Sequence, residues 1–191
     1  MALWIAYCDE LSAKQNVNEY NKCNFYFLVQ DLKKEAFENS LDVERIRELF
    51  NAYGIFFVVQ KALKGTKVRG CFKVNGKHPA IYVTENYAGK DSFYYEIFHE
   101  LGHCKSDYNE GKNKVIIEGS EKQEFRADKF ALDVMIPEDV WNEIMSRDLG
   151  EENLLEISNK FEIPMCFIVG RLARMDFIKY DSDIYKRYYR V

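Results

Sequence analysis

Apolar residues recur every three or four positions along much of the chain, and this spacing predicts a largely helical protein. One helix is predicted over residues 3–15. A second follows Asp42, a residue well suited to cap a helix, and ends at Gly54. Residues 25–29 are continuously apolar. They could open a helix or form a short strand, and the pattern does not decide between the two.

Three shorter runs between these helices and the middle of the chain have the character of strands: residues 55–60, 68–74 and 80–83. Asn75-Gly76 is typical of a hairpin turn and would join the second run to the third. We therefore expect a small antiparallel sheet, whose edge strand could pair with an extended peptide. His78 falls in the hairpin region and is expected to be an exposed loop histidine.

Helical spacing resumes after Asp91 and Ser92, two candidate N-caps, and leads into the run F-H-E-L-G-H at residues 98–103. His99 and His103 would share one helix face, so both imidazoles could bind one zinc ion. Glu100 would lie beside that ion but off the ligand axis, where it could act as the general base toward water. The alternative is a chance H-E-x-x-H on a solvated helix. Gly102 would let another segment approach this helix closely.

A catalytic zinc site usually has three protein ligands and one open position. A third histidine at the metzincin spacing is missing, because Ser106 and Asn109 stand where that motif has glycine and histidine. We therefore expect a carboxylate from a later helix. Glu124 is the candidate, because it falls on an apolar helix face, where an acid is costly unless it is paired or bound. Glu121 competes for the role, but its place at the helix start is already explained by the helix dipole.

The helix that carries Glu124 has a clear start. Ser120 can cap it, and Gln123 is placed to complete a capping box. Asp128, one turn after Glu124, could accept a hydrogen bond from a ligating histidine and orient it. A salt bridge from Asp128 to a nearby Lys or Arg is the alternative.

The composition fits an ordinary globular protein. The 191 residues are 47% hydrophobic and carry a net charge of −4, which implies no global attraction to nucleic acid or to an anionic membrane. No apolar run approaches the roughly 20 residues of a membrane helix, and the first residues do not resemble a secretory signal. The five cysteines are scattered without a C-x-x-C motif, which favours reduced thiols and a cytoplasmic location. Cys104 is expected to be a packed thiol rather than a ligand.

The last third of the chain contains a helix-turn-helix-like pair, residues 154–172, with the basic residues Arg171, Arg174 and Lys179 at or after its end. DNA binding by its second helix is one interpretation. We favour packing of the pair on the rest of the molecule, and do not expect direct nucleic-acid binding. The organisation predicted for the chain has three parts: a mainly helical segment (residues 1–42), a catalytic core (43–150) and a C-terminal helical extension (151–191).

Three sequence blocks together resemble a known family, the ImmA/IrrE metallopeptidases. They are the H-E-x-x-H of residues 99–103, the E-x-x-A-D-x-F-A of residues 124–131 with the following Ile136-Pro137, and Ile163-Pro164. Many zincins share the first block, but the order of all three is more specific, and the likeness covers about residues 43–180. The sequence looks most like the subgroup in which an XRE-type helix-turn-helix module precedes this domain, often labelled a HigA-like antidote. We do not expect that module here.

The resemblance implies an α+β, zincin-like fold in which a small sheet packs on several helices. It also implies a zinc peptidase, with His99, His103 and Glu124 as ligands and Glu100 as the base, that cleaves a cytoplasmic repressor or another transcription factor. The alternative is a vestigial, non-catalytic form of the same fold. Such a protein would act as an antidote or regulator by binding a toxin or a transcription factor.

Overall fold

In the computed structural model, which describes residues 1–189, ten helices surround a sheet of three strands. The helices are α1 (Ala2–Ser12), α2 (Phe25–Glu38), α3 (Val43–Ala52), α4 (Lys90–Ser106), α5 (Tyr108–Gly111), α6 (Glu121–Met135), α7 (Glu138–Met145), α8 (Glu151–Phe161), α9 (Met165–Arg174) and α10 (Asp183–Tyr189). The strands are β1 (Phe56–Val59), β2 (Gly70–Asn75) and β3 (His78–Val83). The expected α+β fold with a small sheet is confirmed.

The sheet is mixed rather than antiparallel, with the strand order β1-β3-β2. β2 and β3 form the expected antiparallel hairpin, although its two turn residues are Gly76 and Lys77, one position later than predicted. β1 instead runs parallel to β3, with Phe56 opposite Ala80. The expectation of a wholly antiparallel sheet was therefore wrong. β3 is buried over nearly its whole length, so it takes a partner on each edge, and residues 60–69 carry the chain across to the far edge.

The two faces of the sheet are covered by different parts of the chain. One face joins the main core, which gathers buried side chains from residues 28 to 172, and its members from the sheet include Phe57, Phe72, Ile81 and Val83. The other face packs against α1 through a smaller cluster made of Trp4, Cys8, Val58, Val68, Cys71, Ala80 and Tyr82. β1 and β3 are thus buried on both sides, which suits their continuous runs of apolar residues.

Several predicted helices appear with adjusted bounds. Residues 25–29 open helix α2, which buries Leu28, Val29 and Leu32, so the helix alternative is the correct one. Asp42 caps α3 as expected, with its Oδ1 accepting from the backbone N–H groups of Glu44 and Arg45. Among the described residues, no helix has both the length and the apolarity needed to cross a bilayer.

Two expectations about single residues were wrong. His78 begins strand β3 instead of lying exposed in a loop, and its Nδ1 is 2.9 Å from the carbonyl oxygen of Gly54. Asp91 and Ser92 do not cap α4, because the helix already begins at Lys90 with Gly89 at the N-cap. Asp91 lies in the first turn and is buried against Gly170 of α9, where a side chain at residue 170 would collide with its carboxylate.

Helix α9, the second member of the helix-turn-helix-like pair, lies in the interior. It contacts α4 on one side and α10 on another. Its buried residues are Met165, Cys166, Phe167, Ile168, Val169, Gly170, Leu172 and Ala173. The division of the chain into three segments stays a prediction.

Candidate metal centre

Helix α4 holds the two histidines in a fixed position because it is buried along most of its length. Tyr94, Ile97, Phe98 and Leu101 anchor it in the main core. His99 and His103 lie on the neighbouring face, one turn apart, as their spacing predicts. Their Nε2 atoms are 3.1 Å from each other and point into the same space.

Helix α6 supplies the carboxylate. Ser120 and Gln123 form the expected capping box at the start of the helix, and Gln123 is also the first of its buried residues. Glu124 then lies between the two imidazoles: its Oε2 is 3.3 Å from Nε2 of His99, and its Oε1 is 3.4 Å from Nε2 of His103. The backbone N–H of Gly119 donates to Oε1 at 2.5 Å and holds the carboxylate in place.

Gly102 permits the two helices to come this close. A Cβ atom at residue 102 would lie 2.8 Å from Cα of Ala127, a separation that real side chains essentially never show. The contact is with the backbone of α6, which cannot rotate away as the end of a side chain can. The prediction that Gly102 admits another segment is confirmed, and that segment is the Glu124 helix.

The three side chains fit the dimensions of a metal site. In a tetrahedral zinc site with bonds of about 2.0–2.1 Å, ligand atoms lie about 3.3–3.4 Å apart. The three measured separations, 3.1, 3.3 and 3.4 Å, come close to this value. Among the described residues, His99, His103 and Glu124 are also the one group of three or more His, Cys, Asp or Glu side chains brought close enough to share an ion. The arrangement can therefore hold a metal.

Each histidine has a carboxylate behind it. Nδ1 of His99 is 2.8 Å from Oδ1 of Asp128, which also accepts a 2.6 Å hydrogen bond from the hydroxyl of Tyr95. Nδ1 of His103 is 2.9 Å from Oδ2 of Asp107. With both Nδ1 atoms facing carboxylates, each ring is expected to carry its proton there and to leave Nε2 free as a ligand.

Asp107 was missed by the sequence reasoning, although a signal was present. It follows His103 by four residues, the same spacing that relates His103 to His99. Burial by itself raises the pKa of Asp107, but hydrogen bonds from its neighbours, led by His103, bring the pKa below the usual range. Arg126 of α6 donates to its Oδ1 at 2.8 Å. Asp107 therefore stays charged and links the two helices.

Glu100 is the most unusual group at the site. It is 2% exposed, and among the described residues its Oε2 has no hydrogen-bond partner. Burial raises its pKa well above the usual value, and the neighbouring carboxylates of Glu96 and Glu124 add to the effect. Burial also raises the pKa of Glu96, although His99 and Arg69 oppose this shift. Two adjacent buried acids would destabilise the fold unless a cation lies nearby.

Gly70 of β2 makes room for these two acids. A Cβ atom there would lie 2.5 Å from Oε1 of Glu100 and 2.9 Å from Oε1 of Glu96. Any larger residue would push against both carboxylates. No sequence pattern predicts this space, since Gly70 and the two acids are about thirty residues apart and their contact depends on the tertiary fold.

Other candidate residues lie outside the group. Glu121, the competing ligand, is exposed at the first position of α6. Cys104 is 2% exposed with its Sγ 4.0 Å from the hydroxyl of Tyr20, and burial raises the pKa of its thiol to about 12. It is the packed thiol that was expected. A cavity of about 470 Å³ has Tyr95, Arg69 and Arg174 among its lining residues, and none of the three metal-binding side chains described above lines it.

With this geometry in place, the chain can be compared with known protein families. The family model Peptidase_M78, described as the IrrE N-terminal-like domain, matches residues 50–173, about two thirds of the chain. The match includes α4 and α6 entire, and with them every residue of the site described above. No curated protein matches the chain.

Proposed function

The chain belongs to the Peptidase_M78 family of IrrE N-terminal-like domains, and from this membership we propose that it is a zinc-dependent endopeptidase. The substrate we propose is a cytoplasmic regulatory protein, a repressor or another transcription factor, in keeping with the ImmA/IrrE resemblance of its motifs. A peptidase-fold domain is what the family match establishes. The metal, the reaction and the substrate are our proposal.

The donor set supports zinc as the metal. Two imidazole nitrogens and one carboxylate oxygen are the ligands that catalytic zinc sites of the His₂Glu type use, whereas structural zinc sites are closed by four protein ligands. In this position zinc would act as a Lewis acid, making water more acidic and polarising a peptide carbonyl. His99, His103 and Glu124 would hold it, and Asp128 and Asp107 would keep the two imidazoles in the ligating orientation.

The observation that carries the proposal is the buried Oε2 of Glu100, which has no hydrogen-bond partner among the described residues. A carboxylate oxygen that is buried, unpaired and next to a metal site is costly to keep, and a structural site would not need it. Burial and the neighbouring carboxylates raise the pKa of Glu100, so it holds a proton more strongly than an ordinary glutamate, as suits a group that accepts a proton from water. Glu100 would take the proton of the attacking water and pass it to the amine that leaves the cleaved peptide bond.

The edge of β2 offers a place for the substrate backbone. Phe72 exchanges both of its main-chain hydrogen bonds with Ile116, each 2.8 Å long, on the edge facing away from β3. Gly70 lies two residues earlier, so its N–H and C=O point to the same outer edge, beside Glu100. An extended peptide could pair with β2 there and bring a carbonyl to the metal centre. The 470 Å³ cavity next to Tyr95 could receive one of its side chains.

Co-expression tests the proposal directly. The protein is produced together with the product of the adjacent gene, and partner fragments are sought by mass spectrometry. The wild type should trim the partner. Glu100→Gln should still bind zinc but leave the partner intact. Glu121→Gln makes the same chemical change at an exposed site of α6 and serves as the matched control, which should cleave normally.

Equal trimming by the wild type and Glu100→Gln would overturn the catalytic role of Glu100. A stable, uncleaved complex with an unchanged cellular effect in Glu100→Gln would favour the alternative, a protein that acts by binding a toxin or transcription factor and uses zinc only as a structural support.

A further inference from the structure

A second concave surface lies away from the metal centre, between α2, the end of α4 and the second half of α6. It is a groove of about 950 Å³. Its floor is apolar and is formed mainly by Phe25, Val29, Phe130 and Val134, with the rings of Phe25 and Phe130 5.9 Å apart. None of the groove residues belongs to the metal-binding group or to the carboxylates behind it.

Three exposed lysines stand around this floor: Lys22, Lys105 and Lys112. Nζ of Lys105 lies 4.9 Å from the centre of the Phe130 ring, and Nζ of Lys112 lies 4.8 Å from the centre of the Tyr108 ring. We call this surface, floor and rim together, the lysine-rimmed groove. The aromatic contacts hold two of its ammonium groups over the cavity.

The charge of the groove contrasts with that of the rest of the protein. The chain has 31 acidic residues and a net charge of −4, yet none of the described residues that line the groove is acidic. Throughout residues 1–189, none of the three rim lysines has a carboxylate within 4.0 Å. The groove therefore combines apolar area open to solvent with positive charges that no carboxylate of residues 1–189 neutralises, although Nζ of Lys112 does donate to the neutral Oδ1 of Asn109 at 3.2 Å.

We propose that the lysine-rimmed groove binds an acidic amphipathic segment of a partner protein. Apolar side chains of that segment would cover the floor, and its carboxylates would pair with the rim lysines. Such helix-in-groove recognition needs an apolar face and matching charges, and the groove supplies the complement of both. The proposal goes beyond the peptidase activity and does not depend on it, since the groove shares no residue with the metal centre.

A nucleic acid is the less favoured ligand for this surface. Phosphate recognition commonly uses arginine and a broad positive field, whereas the groove has three lysines, no arginine and a protein of negative net charge around it. The valine and phenylalanine side chains of the floor match apolar protein side chains better than a sugar-phosphate backbone.

Cys23 provides a built-in reporter for the test. It lines the groove and is exposed, while the other four cysteines, Cys8, Cys71, Cys104 and Cys166, are buried. The probes are three synthetic peptides of about 15 residues, enough for about four helical turns. One carries leucine and glutamate at amphipathic spacing, the second has lysine in place of glutamate, and the third has glutamine in place of leucine. Binding is followed by fluorescence anisotropy of the labelled peptide and by the rate of Cys23 alkylation.

The leucine–glutamate peptide should bind and slow the alkylation of Cys23. The rate should fall by at least about fivefold near saturation, when roughly four fifths or more of the protein molecules have peptide bound in the groove. The other two peptides should do neither. The triple variant Lys22→Glu, Lys105→Glu, Lys112→Glu should raise the dissociation constant of this peptide about tenfold or more. The control variant Lys61→Glu, Lys64→Glu, Lys67→Glu makes the same change of charge at three exposed lysines elsewhere and should leave it unchanged. A triple variant with glutamine at Lys22, Lys105 and Lys112 should also weaken peptide binding, but less than the charge reversal does. It takes the place of the triple glutamate variant in the experiment if that variant fails to fold.

Three results would overturn the proposal. The first is no protection of Cys23 at about 1 mM leucine–glutamate peptide, a concentration that detects even weak binding. The second is an equal loss of binding in the groove variant and the control variant. The third is displacement of the peptide by a single-stranded oligonucleotide that needs the same three lysines, which would identify a nucleic-acid surface. Because all of these readouts are of binding, they stay separate from any failure of the cleavage experiment.

Discussion

Two polar clusters lie on opposite faces of the sheet. In one the acidic group is fully paired, and in the other a carboxylate oxygen is left without a partner. On the α1 face, Asp9 accepts hydrogen bonds from Tyr82 at 2.7 Å and from Lys73 at 2.9 Å, and the Tyr82 hydroxyl is also 3.0 Å from Ser12. On the α4 face, Glu96 and Glu100 lie together beside Gly70, and Oε2 of Glu100 is the one carboxylate oxygen in residues 1–189 that is buried without a partner.

The two clusters therefore have different uses. In the Asp9 cluster the carboxylate is paired with the Lys73 ammonium and accepts from the Tyr82 hydroxyl and the Asn75 amide, which lowers the pKa of Asp9 although burial alone would raise it. Such a network stabilises the docking of α1 on the sheet. In the Glu96–Glu100 cluster, burial and like charge raise both pKa values. A pair of acids in that condition contributes little to stability, which fits the catalytic role proposed for Glu100.

The largest expected effect is on the cleavage rate, which should depend on the Glu96–Glu100 cluster and not on the Asp9 cluster. Glu100→Gln should lower the rate of partner cleavage by about 10²–10⁴-fold, the range that general base catalysis supplies. Its free energy of unfolding should not fall, because the neutral amide removes repulsion with Glu96 and Glu124. Asp9→Asn should leave cleavage unchanged. The measurements are cleavage rates and chemical denaturation. A loss of stability in Glu100→Gln as large as that in Asp9→Asn would remove the distinction.

The next effect concerns the acids behind the histidines. Asp107→Ala should weaken metal binding about 10–100-fold, because His103 would lose the acceptor that orients it. Asp128→Ala should do the same to a smaller extent, since its side chain is 49% exposed and water can replace it, whereas Asp107 is 4% exposed. Competition with a chelating dye measures both. A larger loss in Asp128→Ala would contradict the role given to burial.

A smaller effect tests how the metal-centre cluster is assembled. Gly102→Ala should cost about 1–3 kcal/mol of stability, as overpacking of a close contact does, and should weaken metal binding by separating α4 from α6. Thermal unfolding and metal titration measure the two effects. Ser106→Ala, on the exposed last turn of the same helix, is the control and should change neither. Unaltered metal binding in Gly102→Ala would show that the site tolerates a wider separation of the helices.

The smallest effect concerns the Asp9 cluster and has a definite pH dependence. Asp9→Asn should cost about 1 kcal/mol at neutral pH, the worth of a partly exposed charged hydrogen bond. The folded state lowers the pKa of Asp9, so its contribution is complete above the ordinary pKa of about 3.9 and is lost as the pH falls below it. The stability difference between wild type and variant should therefore shrink below about pH 4. A difference that grows toward acid pH would have the wrong sign.

Local spacing explains what the sequence could predict. The i, i+4 relation places His99 and His103 together whatever the rest of the fold does. The apolar stripe of α6 places Glu124 beside the buried face of that helix, with 32% of its side chain exposed. Asp107 could have been found by the same spacing. The ligand roles of these residues and the base role of Glu100 stay predictions, but their positions follow from two helices, one capping box and one glycine at the crossing.

What the sequence could not predict depends on contacts between distant segments. The parallel pairing of β1 with β3 depends on which edge of the β2–β3 hairpin stays free when the helices pack on the sheet. The space that Gly70 leaves for Glu96 and Glu100 depends on the docking of α4 on β2. Residues 25–29 show a second kind of limit, because a short apolar run has no periodicity that separates helix from strand. In the structure these residues open helix α2, which buries Leu28, Val29 and Leu32.

The most direct test of the central claim is the X-ray absorption spectrum of the purified protein at the zinc edge, together with its metal content. We expect about one zinc per chain, coordinated by two imidazole nitrogens and oxygen at about 2.0–2.1 Å with no sulfur. Glu124→Ala should lose most of this zinc. Sulfur in the coordination sphere, or a zinc content that is the same after replacement of Glu124, would contradict a centre made of His99, His103 and Glu124.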